Sequence, residues 1–294
     1  MRVLNFGSLN IDHVYQVDHI ARPGETLPST GYQVFAGGKG ANQSAALALA
    51  GADVCHAGRV GPEGRWLVDK LSGLGVDMQH TWVGPDPTGH ALIQVDREGR
   101  NAIVLFPGAN QQISEAQVNS ALGAFGVGDL LLLQNETNLV PHLILEAKER
   151  GLQVCFNPAP FTPEVASYPL GLVDILVVNE LEASGLSGAQ EPRAILEALV
   201  KKYPSVRVAL TLGEQGVLYT APKECFHTPA PQVKAVDTTA AGDTFIGYFL
   251  AGLASGGPTR TAVERAVKAA AVCVSRHGAM DSIPTAAEVG PNQS

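Results

Sequence analysis

The sequence predicts one α/β domain, a central and mostly parallel sheet with helices on both faces and a small β-sheet lid. Three observations carry that expectation. Short apolar runs alternate regularly with helix-periodic segments. The runs are apolar nearly throughout rather than at every second residue, as in strands covered on both faces. Two stretches in the N-terminal half break the alternation, which gives the lid its material.

Taken in order, residues 3–7 (VLNFG), 53–61 (DVCHAGRVG), 129–134 (DLLLLQ), 152–158 (LQVCFNP), 174–180 (DILVVNE) and 206–213 (VRVALTLG) read as buried strands. Residues 40–51, 64–75, 138–151 and 192–203 carry apolar side chains at helical spacing, and most of these segments end at Gly or just before Pro. Residues 10–36 hold two extended stretches around a Pro-Gly turn, and residues 88–106 read as a hairpin turning at Arg97–Arg100. Both excursions leave and rejoin the main sheet near its first strands, so the spacing predicts a lid within a single domain spanning 1–294. Near the C-terminus a strand is expected to end at Val236 and lead into a helix with Phe245, Phe249 and Leu253 on one face.

A chain of 294 residues, 45% of them hydrophobic, has the material for a large core. The formal charge of −8, with no block of Lys or Arg, excludes the electrostatic footprint of a nucleic-acid binder. No apolar run approaches the ~18 residues of a membrane span, and the N-terminus lacks a signal-peptide layout, so a cytoplasmic protein without membrane contact is expected. Cys55, Cys155, Cys225 and Cys273 lie far apart without metal-ligand spacing and read as reduced thiols.

The strongest chemical signal is VDTTAAGDTF, residues 236–245. Small residues there open the last-named helix, and the N–H groups of Ala241, Gly242 and Asp243 would face outward with the positive end of its dipole, a phosphate-sized anion hole. Asp243 reads either as an ordinary N-terminal helix acid or as a base taking a proton from a substrate hydroxyl beside a phosphoryl group held by those N–H groups. Asn10 and Asp12 lie two apart on an extended segment, share one face, and suit vicinal hydroxyls. In FAGGKGAN, Gly38 allows close backbone approach while Lys39 and Asn42 can bond hydroxyls. A nucleotide P-loop is excluded, because Gln33 and Gly40 stand where that motif needs Gly and Ser or Thr. Asn179 and Glu182 follow a strand three residues apart, the spacing of a helix cap and its third residue.

These segments together resemble the ribokinase-like (pfkB) family of carbohydrate kinases from Val3 to about Pro284. GSLNIDH, GGKGAN, FPGAN, QNE, NPAP, NELE, TLGEQG, DTTAAGDTF and SRHGAMDSIP stand in the family's order and at about its spacing. The resemblance implies the ribokinase-like fold with its sheet lid, and transfer of the γ-phosphoryl of ATP to a sugar. It implies Asp243 as the base within the Ala240, Ala241 and Gly242 anion hole, and Asn10, Asp12, Gly38, Lys39, Asn42, Glu136 and Asp243 as sugar contacts. Asn179, Thr211, Gly213 and Gly242 would meet the nucleotide, and Glu182 its Mg²⁺ through water. A potassium activator would be held by Asp237, Thr239, Cys273, Arg276, Gly278 and Ser282. A homodimer through the lid is implied, and an exposed four-stranded edge carrying Val14, Val17, Ile93 and Val95 would need such cover.

Alanine at 240, where the general family signature has Gly, together with the clamp residues, points to D-ribose phosphorylated on its 5-hydroxyl, with ribose 5-phosphate and ADP as products. Deoxyribose, a nucleoside or another small sugar are the alternatives within the family. Leu181 and Asp281 depart from its pattern. A non-catalytic sugar-binding regulator would show loss of Asp243 or of its glycine, and both are present. A Rossmann oxidoreductase would carry G-x-G-x-x-G after the first strand, which is missing.

Overall fold

The computed structural model describes residues 1–290. The N-terminal half contains β1 (Val3–Phe6), β2 (Asn10–Gln16), β3 (Gly31–Gly37), α1 (Lys39–Leu49), β4 (Val54–Val60), α2 (Arg65–Gly73), β5 (Asp77–Val83), β6 (Gly89–Val95), β7 (Asn101–Phe106) and α3 (Glu115–Leu122). There follow β8 (Leu130–Gln134), α4 (Val140–Glu149), β9 (Gln153–Asn157), β10 (Ile175–Asn179), α5 (Glu180–Ser187), α6 (Pro192–Lys202) and β11 (Arg207–Thr211). The chain then runs through β12 (Val217–Ala221), β13 (Glu224–Thr228), α7 (Ala241–Ala254), α8 (Thr259–Val274) and α9 (Ala286–Val289).

The large sheet has nine strands in the order β13-β12-β11-β10-β9-β8-β1-β4-β5, parallel from β11 to β5 and extended by the antiparallel pair β12 and β13. The sequence LLLLQ of β8 shows why its strands are apolar throughout. Leu130 and Leu132 pack toward α1, α2, α7 and α8, while Leu131 and Leu133 pack toward α3, α4, α5 and α6. The six anticipated strands and the helices α1, α2, α4, α6 and α7 all form. The strand expected to end at Val236 does not. Pro229 and Pro231 bring no N–H to a ladder, and the N–H of Val236 bonds the carbonyl of Val274 at 2.7 Å, so this segment crosses the end of α8 instead.

Residues 10–37 and 89–106 build a second sheet in the order β3-β2-β6-β7, with β2 and β6 parallel. Only Gly7–Leu9 separate β1 from β2. The side chain of Asn110 clasps this junction, accepting from the Leu9 N–H at 3.0 Å and donating to Asn10 Oδ1 at 2.8 Å. The lid differs from expectation in its faces. Val14, Ile93 and Val95 point into the cleft below, and Val17 is only 6% exposed. The outward apolar face is carried instead by Tyr32, Val34, Leu92, Val104 and Phe106, all more than 40% exposed. Alternation along paired strands decides this, since Asp12 opposes Ala91 while His13 opposes Leu92.

Helices α1 and α7 cross closely enough that Gly247 lies against Ala46. A Cβ at Gly247 would stand 2.8 Å from the backbone of Ala46 and Leu47. Gly247→Ala is therefore expected to lose about 1–3 kcal/mol in urea unfolding. Gly73→Ala, at a position with open space around it, should change stability by less than about 1 kcal/mol. Equal effects of the two substitutions would show that the helix contact can open without cost.

Candidate active site

A cleft of ≈ 980 Å³ lies between the inner face of the lid and the carboxyl ends of the parallel strands, where open α/β sheets collect ligands. Glu136 follows β8, and Asn157, Asn179 and Thr211 are the last residues of β9, β10 and β11. The lid contributes Asn10 and Asp12 from β2, and α1 and α7 point their N-termini at the same space.

Asp12 faces the cleft with no hydrogen bond to its carboxylate from any described residue. Burial, with the Glu136 carboxylate nearby, pushes its pKa up to about 7. Gly38 stands at φ 92°, and a Cβ there would come 3.0 Å from the Asn10 nitrogen and the Ser8 oxygen, so the turn into α1 needs glycine. Glu136 accepts the Lys39 N–H at 2.9 Å and the Ser8 hydroxyl. Burial raises the Glu136 pKa, against the pull of Lys39. The Lys39 ammonium is held charged by Asp243 above all, then by Glu136 and Glu182, against the opposing effect of burial. None of these carboxylates lies within ion-pair distance of it among the described residues. Asn42 donates to Asp243 Oδ2 at 3.0 Å, while its own Oδ1 is buried and without a partner among the described residues.

Ala240 enters α7 in the left-handed conformation, φ 61°, which is costly for alanine and gives the loop its sharp turn. The Ala241 N–H makes a long bond to the Thr238 carbonyl, 3.3 Å. The N–H groups of Gly242 and Asp243 meet no acceptor among the described residues and remain at the positive end of a 14-residue helix. Asp243 itself is 8% exposed and sits beneath them. The arrangement can take a proton from a hydroxyl at Asp243 while backbone N–H groups hold an adjacent anion.

Asn179 and Glu182 form a capping box at α5. Asn179 Oδ1 accepts the Glu182 N–H at 2.9 Å, and Glu182 accepts the Asn179 N–H at 3.0 Å and its side-chain amide at 2.9 Å. The capping geometry is thus real, and both residues still line the cleft. Burial raises the Glu182 pKa despite these bonds. A second cavity of ≈ 300 Å³ opens off the cleft beside the N-terminus of α7, sharing Thr211, Thr238, Ala241 and Gly242 with it and reaching Gly213. Its walls include Val217, Val233, Phe245, Val267 and Val274, from β12, the loop before α7, α7 and α8. Sequence reasoning missed this slot, because apolar residues dispersed over four segments look like core until the fold gathers them.

The Asp237 loop is stitched to the segment after α8. Asp237 Oδ1 accepts the Thr239 N–H at 2.9 Å and hydroxyl at 2.6 Å, and Oδ2 accepts the Gly278 N–H at 3.1 Å. Burial works to raise the Asp237 pKa, but these bonds outweigh it and hold the carboxyl below its usual range. The Cys273 thiol donates to the Thr239 carbonyl and lies 3.0 Å from Ser282 Oγ. The Arg276 guanidinium turns away to Glu288 at 2.7 Å, leaving only its carbonyl for this loop. The two departures from the family pattern lie outside the cleft: Leu181 is 78% exposed, and Asp281 pairs with Lys70 at 2.6 Å.

Residues 2–286 match the family model described as pfkB family carbohydrate kinase. The chain is 38% identical over 291 residues to a ribokinase of Haemophilus influenzae, covering 96% of this chain and 95% of that one. Its structure is similar to that of a ribokinase from Cryptococcus neoformans in complex with ADP, with a TM-score of 0.87, 35% identity and 98% of both chains covered. It is also similar to an Arabidopsis thaliana ribokinase complexed with ribose and ATP, with a TM-score of 0.84, 28% identity, and 98% of this chain and 97% of that one covered. With the cleft, the helix-terminal carboxylate and the sheet lid on the same chain, these matches mean that the protein belongs to the pfkB family of carbohydrate kinases.

Proposed function

We propose that the protein transfers the γ-phosphoryl group of ATP to the 5-hydroxyl of D-ribose, yielding ribose 5-phosphate and ADP. The observation that carries this reading is Asp243. Its carboxylate is buried at the N-terminus of α7, fixed by the Asn42 amide, and shares a cleft with the unpartnered Asp12 carboxylate and Asn10. Relatives named ribokinase, one complexed with ribose and ATP, support the choice of sugar.

On this reading Asp12, Asn10, Gly38, Lys39, Asn42 and Glu136 bind and orient the sugar. The 5-hydroxyl proton passes to Asp243 as its oxygen attacks the phosphorus. The free N–H groups of Gly242 and Asp243, with Ala240 and Ala241 shaping the turn, receive the charge on the phosphoryl oxygens. Lys39 adds a full positive charge to the same cleft. Asn179, Thr211 and Gly213 border the nucleotide, and the apolar slot fits a purine base. Both Glu182 oxygens already accept from Asn179, which suits contact with Mg²⁺ through water; the ion supplies charge neutralisation on the phosphates. The oxygen donors of Asp237 and Ser282 and the carbonyls of Thr239, Cys273, Arg276 and Gly278 fit a weakly hydrated monovalent cation such as K⁺. The outer lid face, carrying Tyr32, Val34, Leu92, Val104 and Phe106, is the surface through which a homodimer would form. The cytoplasm is the proposed compartment. No helix among the described residues is long and apolar enough to cross a membrane.

A panel of sugars and nucleosides with ATP should give ADP release that depends on D-ribose, with ribose 5-phosphate as the product by mass. A kcat/KM tenfold higher for 2-deoxyribose, a nucleoside or fructose 6-phosphate would move the substrate assignment. Asp243→Asn should lower kcat by roughly 10²–10⁴ with little change in ribose affinity.

Asp12 makes a prediction about pH. A carboxyl whose folded pKa is raised from 3.8 to about 7 stabilises the fold fully below pH 3.8 and loses that contribution as pH rises through about 7. Asp12→Asn cannot ionise, so at pH 8 it should be more stable than the parent by about 1–3 kcal/mol, a difference that fades toward pH 4. The same variant should raise the ribose KM by roughly one to two orders of magnitude. A stability difference that does not vary with pH would refute the burial argument.

Potassium is expected to raise activity above sodium or lithium at fixed ionic strength, and Asp237→Ala to abolish the difference. Equal rates with all three ions in the parent would remove this loop from cation binding.

A further inference from the structure

Asn42 has a neighbour on α1 whose contact with Asp243 no sugar contact explains. Gln43 is fully buried and donates through Nε2 to Asp243 Oδ1 at 2.9 Å, the oxygen that Asn42 leaves free. Its Oε1 accepts from Gln134 Nε2 at 2.7 Å, and the same nitrogen donates to Asn5 Oδ1 at 2.9 Å. Asn5 in turn donates to the Gly40 carbonyl and to Ser44 Oγ, both at 2.8 Å. Gln43 Nε2 also reaches Asn157 Oδ1 at 3.3 Å, and Asn157 donates to the Val177 carbonyl at 3.0 Å.

The ends of this chain fix the direction of every amide in it. A carboxylate at Asp243 only accepts, so Gln43 presents nitrogen to it and oxygen to Gln134. The Gly40 carbonyl also only accepts, so Asn5 presents nitrogen to it and oxygen to Gln134. Gln134 must therefore donate both of its hydrogens, and its own Oε1 is left buried without a partner among the described residues. That oxygen sits where a Cβ would project at Gly7. An unsatisfied buried carbonyl is a cost that a core built only for stability would avoid. Here it follows from fixing both ends of the chain, the Gln43 donor held against Asp243 Oδ1 and the Asn5 donor held against the Gly40 carbonyl.

We propose that Gln43 is a positioning residue for phosphoryl transfer, holding the Asp243 carboxylate in its proton-accepting orientation, and that Gln134 fixes the polarity of the Gln43 amide. The inference rests on Asp243 acting as the base. Asn42 and Gln43 together set the plane of the carboxylate and leave its remaining lone pairs for the incoming hydroxyl. The effect belongs in kcat, because neither Gln43 nor Gln134 lines the cleft.

The test compares Gln43→Met, Gln134→Met and the double variant, with Asp243→Asn as reference, using ribose and ATP and checking folding by circular dichroism and ribose binding by calorimetry. Gln43→Met removes the donor at nearly constant volume and should lower kcat about 10- to 100-fold while ribose KM and Kd stay within about threefold. Gln134→Met should lower kcat in the same way but less. The double variant should be no slower than Gln43→Met, since Gln134 reaches the Asp243 carboxylate through the Gln43 amide. A kcat for folded Gln43→Met within threefold of the parent would overturn the proposal, as would fully multiplicative losses in the double variant. If Gln43→Met does not fold, Gln134→Met decides alone: unchanged kcat in it overturns the relay. If Asp243→Asn itself keeps near-parental kcat, the assignment of the base has failed, and that outcome is distinct from failure of the relay.

Discussion

Helices α1 and α7 meet at Gly247, where no side chain separates one helix from the backbone of the other. α1 begins at the glycine turn and carries Lys39, Asn42 and Gln43, and α7 begins at the strained Ala240 and carries Asp243. Only at this separation do two amides from consecutive residues of one helix reach both oxygens of a carboxylate on the other. The two segments are about 200 residues apart in sequence, and their alignment is set by steric contact in a core whose packing leaves little freedom to shift. The N-terminus of α7, the floor of the cleft and the orientation of the acid all follow from that contact.

The charges of the cleft are arranged for a visitor. Asp12, Glu136 and Glu182 are all less acidic than in water because burial strips their solvent, and Lys39 stays charged chiefly through Asp243. Donors from a polyhydroxylated ligand would relieve the carboxylates, while the cation and free N–H groups await an anion. Carboxylates and hydrogen-bond donors thus share one space, with Lys39 beside Glu136 and Asn42 bonded to Asp243.

The sequence made the parallel sheet legible because both-faced burial leaves an unmistakable run such as LLLLQ. Motif residues were legible where small or charged types stood in unusual order, as in AAGD and GGKG. Edge strand β5 and the β12–β13 hairpin were less visible, since one-sided burial leaves short mixed patterns. The expected strand before Val236 failed because apolar content alone does not supply ladder hydrogen bonds, and the Val236 N–H is taken by the end of α8. The inner and outer lid faces were exchanged in part, because alternation identifies two faces without saying which one looks at the body of the protein. The relay through Asn5, Gln134 and Gln43 was invisible for another reason. Buried amides carry no periodic signature, and their meaning lies in the direction of hydrogen bonds that only folded neighbours define.

The three-residue junction between β1 and β2, clasped by Asn110, divides the molecule into two inheritances. Under the proposed assignment, the groups that read the sugar's ring hydroxyls grow from the lid, the turn into α1 and, through Glu136, the end of β8, whereas the groups that move the phosphoryl lie in the loop and helix after residue 236. Selection can therefore retune the lid's share of these contacts, Asn10 and Asp12 on β2, by altering a peripheral four-stranded sheet while leaving the strained turn at Ala240 untouched. A fold divided in this way is evolvable toward new alcohols without relearning its chemistry.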